Sequence, residues 1–117
     1  MKTLILAFLI ALGNPVQFDK TVHDFGVITL KDGPQTCTFT ITNDGDADVN
    51  ILAVTTSCGC TGVKWTRETI KPGEKGTVTA TYSNDEGAYP FDKTLAVYMS
   101  DNSKPTVLHL KGIVKKK

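Results

Sequence analysis

Beyond residue 12 the sequence has no long apolar run and no stretch with a sustained helical period. A membrane-spanning helix needs about 20 consecutive apolar residues, so the mature chain is expected to carry no transmembrane segment. The missing 3.6-residue period argues against a helical bundle or an α/β fold. An excess of one charge is missing too: 13 Lys and Arg stand against 12 Asp and Glu. One of those cations, Lys2, falls in an N-terminal leader, which leaves the rest balanced. A nucleic-acid-binding domain normally shows a basic excess, and a disordered chain combines low hydrophobicity with high net charge. With 40% apolar residues the chain fits neither. At 117 residues it is too short for a TIM barrel or a two-lobed enzyme.

Catalytic signatures are absent as well. There is no Gly-x-Ser-x-Gly elbow and no phosphate loop, and no Ser-x-x-Lys precedes Ser100-Asp101-Asn102. Asp44, Asp46 and Asp48 hint at a calcium loop, but Val49 and Thr55 stand where that loop needs Gly and Glu. His23 reads as a surface or turn residue, and His109 as an outward residue of the last strand. No catalytic residue is assigned, and the chain is expected not to be an enzyme.

What is present begins with a leader. Met1-Lys2 is a positive start, and residues 3–12 form an apolar run of signal-peptide length. Ala11-Leu12-Gly13 then supplies small residues at cleavage-type spacing. Residues 1–13 are therefore expected to be a signal peptide and 14–117 the folded domain. A lipid anchor would need a cysteine at the cut, where Asn14 stands. The expected location is extracytoplasmic, periplasmic or secreted, where disulfides persist.

The body reads as strands. In residues 36–42 threonines alternate with Cys37, Phe39 and Ile41, and in 77–82 with Val78, Ala80 and Tyr82. Alternation of this kind marks a half-buried strand with one wet face. Residues 16–18, 25–28, 49–56, 94–99 and 106–114 supply further strands. Turn signals rich in Gly, Pro, Asn and Asp separate most of them, among them Asn43-Asp44-Gly45, Pro72-Gly73 and Asn84-Asp85-Glu86-Gly87. About seven short antiparallel strands so spaced predict an all-β, immunoglobulin-like sandwich. Phe39, Ile41, Val78, Tyr82, Leu108 and Leu110 are its expected core. Gly26 is expected at a bulge or bend.

Three cysteines is an odd number for a secreted chain. Cys37 shares a strand face with Phe39 and Ile41 and reads as a buried thiol. Cys58 and Cys60 flank Gly59 just after a strand, so both should lie in a loop near one end of the domain. Several states stay open. A Cys58–Cys60 bond, with Gly59 allowing a tight bend, closes a minimal loop worth about 1.6 kcal/mol in the chain-entropy model, against about 3.4 kcal/mol for a bond to Cys37. Free or exchanging thiols, a partner thiol and a soft metal are the others. Only Cys37, His23, His109 or Met99 could add metal ligands, none at a recognised spacing, so no metal or cofactor is assigned.

The order of His23-Asp24-Phe25-Gly26-Val27-Ile28, Phe39-Thr40-Ile41-Thr42-Asn43-Asp44-Gly45, Ser57-Cys58-Gly59-Cys60-Thr61, Trp65, Ile70-Lys71-Pro72-Gly73-Glu74, Tyr82 and Leu110-Lys111-Gly112-Ile113-Val114 resembles a bacterial family of unknown function marked by a Cys-Gly-Cys signature. Its members look like the Hydin and major-sperm-protein branch of immunoglobulin-like folds. The resemblance covers residues 16–114. It implies a secreted or envelope protein and brings no established reaction. Many relatives begin with a lipoprotein cysteine, which this chain lacks.

Two functions are compatible with these features. One is a non-catalytic extracytoplasmic module that binds an unknown protein partner in the cell envelope, or supports its structure. The other is thiol-based redox or transition-metal chemistry at Cys58, Gly59 and Cys60, with Cys37 as a possible third thiol.

Overall fold

A computed structural model describes residues 16–117; the expected leader at 1–13 lies outside the described residues. Eight strands follow in order: β1 (Val16–Phe18), β2 (Val22–Thr29), β3 (Gln35–Asn43), β4 (Ile51–Thr56), β5 (Thr61–Trp65), β6 (Lys75–Tyr82), β7 (Pro90–Met99) and β8 (Thr106–Lys115). They form two four-stranded sheets, β1-β3-β6-β5 and β2-β8-β7-β4. The all-β immunoglobulin-like sandwich is thus the observed fold.

Two details differ from the sequence reading. Among the described residues there are eight strands, the additional one being β5, which directly follows the cysteine loop. The pairing of β2 with β8 is parallel, while all other strand pairs are antiparallel. A parallel pair needs no tight turn between its strands, so nothing local in the sequence announces it.

The central pair β3 and β6 shows why alternation sets the register. Phe39 pairs with Val78 and Cys37 with Ala80, all facing inward. On the other face the Thr36 and Thr81 hydroxyls lie 2.8 Å apart, and those of Thr38 and Thr79 3.3 Å. A slip of one residue would bury the threonines and expose the core. Phe39, Ile41, Val78, Tyr82, Leu108 and Leu110 are all fully buried between the sheets. Each contributes about 1.5–3 kcal/mol through burial of its side chain.

Gly26 takes φ +74° where β2 shifts register between Asp24 and Val27, so the expected bulge is there. Among the described residues no helix is long and apolar enough to cross a membrane.

Candidate functional site

Strand β4 ends at the edge of one sheet and β5 begins at the edge of the other. Residues 57–60 make the crossing. The Cys58 carbonyl accepts the Thr56 hydroxyl at 2.9 Å and the Thr61 N–H at 3.2 Å, which closes the turn. The Ser83 N–H donates to the Cys60 carbonyl at 2.8 Å, tying the loop to the end of β6. Within this turn Cys58 and Cys60 form a disulfide, their Cα atoms 5.1 Å apart. Both are partly exposed, with Cys60 packed against the core.

Of the pairings left open by sequence, the local one is present. Cys37 is a free, buried thiol on β3. Burial pushes it up to about 11, slightly offset by the nearby Lys20 charge. Gly59 needs a correction. Its φ lies in the ordinary range, and a Cβ there would meet nothing within 4 Å. The bend does not depend on glycine; the two hydrogen bonds to the Cys58 carbonyl hold it.

A second crossing connection, residues 83–89 between β6 and β7, brings Glu86 beside the disulfide. Three donors converge on Glu86 Oε1: the Tyr89 hydroxyl at 2.9 Å, Lys93 Nζ at 3.0 Å and the Tyr82 hydroxyl at 3.3 Å. With Oε1 fixed, Oε2 lies 3.4 Å from Cys58 Sγ. The Cys60 N–H donates to the same sulfur at 3.1 Å. Donor atoms of Cys58, Cys60 and Glu86 all fall within 4.8 Å of one another. Lys93 first, then Tyr89, holds the Glu86 carboxyl below its usual range. Burial, followed by the Glu86 charge, pushes the Tyr82 hydroxyl up.

Lys64 and Arg67, the cations nearest the loop in sequence, play no part in this cluster. Arg67 lies over the Trp65 ring, 4.0 Å from its centroid, and Lys64 is exposed on β5. Lys93, from β7, is the cation that reaches the site. Sequence spacing could not reveal Glu86, which follows Cys58 by 28 positions and read only as part of a turn. The histidines lie elsewhere. His23 Nδ1 accepts a hydrogen bond from Lys20 Nζ at 3.0 Å, and His109 Nδ1 lies 2.9 Å from Asp92 Oδ1. The hydroxyls of Ser57 and Thr94, on the same row of the sheet as His109, bond each other at 3.1 Å.

This architecture defines a two-sheet immunoglobulin-type domain with a disulfide loop bridging its sheets. The chain belongs to the family described as protein of unknown function (DUF1573), matched over residues 16–114. No curated protein matches it. Among solved structures, a Porphyromonas gingivalis W83 protein of unknown function is 19% identical at a TM-score of 0.71, covering 84% of this chain and 46% of its own. The Vibrio cholerae protease VesB is 20% identical at a TM-score of 0.66, over 93% of this chain and 35% of its own. WR4, a C. elegans MSP family member, is 9% identical at 0.56, over 88% and 100%. The chain thus spans less than half the length of the first two. These likenesses establish a shared immunoglobulin-type fold.

Proposed function

We propose that the chain is a non-catalytic, extracytoplasmic module that binds a protein partner in the cell envelope. One observation carries the reading: an apolar row on the outer face of the second sheet. Val107 and Ala96 lie side by side across β8 and β7, flanked by Thr55 on β4. Tyr98 follows two residues along β7, and Leu52 projects at the register shift in β4. Leu52 is 62% exposed, Val107 48% and Tyr98 37%. Clustered apolar exposure on a sheet face is a common mark of a protein contact. The extracytoplasmic part is supported by the leader-like residues 1–13 and by a disulfide that an oxidising space would preserve. The non-catalytic part is supported by the fold likeness to the MSP family member and by the solvent exposure of the His109–Asp92 pair.

A photo-crosslinking residue at position 107, compared with one at Thr38 on the threonine face, tests this in the native host. A single envelope-protein adduct from position 107 alone, abolished by Leu52→Asp, is the expected result. Equal adducts from both positions, or none from 107, would refute it. Envelope material should begin near Asn14; cytoplasmic material beginning at Met1 would remove the extracytoplasmic part.

A second reading, thiol redox or transition-metal chemistry at Cys58, Gly59 and Cys60, is favoured by one feature, the Glu86 carboxylate held against Cys58 Sγ.

A further inference from the structure

We propose that reduction of the Cys58–Cys60 disulfide opens a cation site in which both thiolates and the Glu86 carboxylate bind one Zn²⁺-type ion. The proposal rests on the thiol reading and names its ligand.

The geometry is nearly in place. Zinc binds thiolate sulfur at about 2.3 Å and carboxylate oxygen at about 2.0–2.2 Å, usually in a tetrahedron. An S···O edge of that tetrahedron is about 3.6 Å long by these bond lengths. Cys58 Sγ and Glu86 Oε2 already stand 3.4 Å apart. The S···S edge is about 3.8 Å by the same lengths. The cysteine Cα atoms, 5.1 Å apart, accommodate that opening by side-chain rotation once the bond is broken. The backbone can stay as it is, held by the two hydrogen bonds to the Cys58 carbonyl.

The carboxylate is prepared for such a role. Tyr82, Tyr89 and Lys93 all donate to Oε1, which fixes the group and aims Oε2 at the sulfur. Partners of this sort orient a ligand before the ion arrives. In the disulfide form Cys58 has no S–H to donate, so Oε2 gains no hydrogen bond from that sulfur. Calcium and magnesium take oxygen ligands and do not suit two thiolates, whereas zinc takes both sulfur and oxygen. A fourth position is left for water or a partner group.

The chemistry balances with a dithiol as reductant. Two electrons from the dithiol cleave the S–S bond. Its two protons pass to Cys58 and Cys60, and it leaves as a disulfide. Binding of the cation then releases the two thiol protons to solvent. The site is therefore closed when oxidised and open when reduced.

The test uses the whole folded chain, reduced with a phosphine that is then removed without air. Zn²⁺ is titrated in competition with a chromogenic chelator, and Co²⁺ is added in parallel to look for thiolate-to-metal charge-transfer absorption. One ion per reduced chain is expected, with none for the disulfide form. Cys37→Ser should bind as the parent does, and Cys58→Ser and Cys60→Ser should lose the absorption. Glu86→Gln should weaken binding by at least about tenfold while its disulfide form melts as a folded protein. Equal binding by the oxidised chain, by Glu86→Gln or by the serine variants would overturn the proposal. Equilibration of the cysteine pair with a glutathione buffer, followed by mass, separates the two failures. Exchange without metal binding removes the cation site and leaves the thiol reading standing; neither removes both.

Discussion

Tyr82 and Phe91 stack across the sandwich, ring centroids 4.0 Å apart and planes 14° from parallel, although they belong to different sheets. Tyr82 ends β6 and Phe91 is the second residue of β7, so the stack pins both ends of the connection that carries Glu86. The Tyr82 hydroxyl continues from the buried ring to Glu86 Oε1. Core packing and the candidate site thus share one side chain.

The two roles should separate by mutation. Tyr82→Phe keeps the stack and removes only the hydroxyl, a loss of about 1 kcal/mol. Tyr82→Ala also removes the ring, and should cost about 3–5 kcal/mol. Urea unfolding of both variants measures the difference. Equal losses would mean that the stack contributes nothing beyond the hydrogen bond.

Asn43 is a fully buried polar side chain that ties two connections together. Its Nδ2 donates to the Ala47 carbonyl at 2.8 Å and the Ile70 carbonyl at 2.9 Å, and its Oδ1 accepts the Gly45 N–H at 3.0 Å. Its own carbonyl accepts the Gly73 N–H at 2.8 Å. One side chain therefore joins the turn after β3 to the segment before β6. Asn43→Ala removes three side-chain hydrogen bonds, leaving the Ile70 carbonyl with the Val49 N–H alone, and should cost about 1–3 kcal/mol. Asn43→Asp should cost a similar amount, because a carboxylate cannot donate. Thermal unfolding in which either variant matched the parent would show that the network is dispensable.

Much of this was legible from residue order. Alternation in β3, β6 and β8 identified all six expected core residues, because a strand with one wet face repeats every two residues. Strand β5 escaped because Thr61-Gly62-Val63-Lys64-Trp65 is short, contains glycine and adjoins the cysteine loop. The cysteines announced a local site through their spacing. Glu86, Tyr89 and Lys93 did not, since two sheet crossings bring them there and no periodicity links positions that far apart. The same holds for the apolar row of Leu52, Tyr98 and Val107, which exists only once three strands lie side by side.

Cys37 should be inert where the loop cysteines are not. It is 6% exposed, and burial raises its thiol to about 11, so little thiolate forms near neutrality. After mild reduction at pH 8, an alkylating reagent should label Cys58 and Cys60 and leave Cys37 unmodified until urea is added. Mass analysis of the native sample with three labels would contradict this placement. The sign for stability follows from the raised value. The folded chain holds the Cys37 proton more tightly than the unfolded chain does. Its contribution is therefore complete below the unfolded thiol range and declines as pH rises toward 11.

His23 gives the opposite dependence. Partial burial comes first and the Lys20 charge second in lowering it from 6.5, while Asp24 raises it in part. Lys20 Nζ donates to Nδ1 at 3.0 Å, a bond that requires the neutral ring. The folded chain thus binds the His23 proton more weakly than the unfolded chain does. At pH values above 6.5 both states are neutral at this position and its contribution is fully present. As pH falls below that value the unfolded state protonates first, and stability is lost until the folded state protonates too. His23→Gln removes this dependence, so the melting temperature of the variant should fall less than the parent's between pH 7 and pH 5. Lys20→Met removes one of the two depressing causes, and should raise the His23 titration midpoint followed by NMR. An unchanged midpoint would leave burial alone as the cause, and a parent whose stability rose on acidification in this range would contradict the sign.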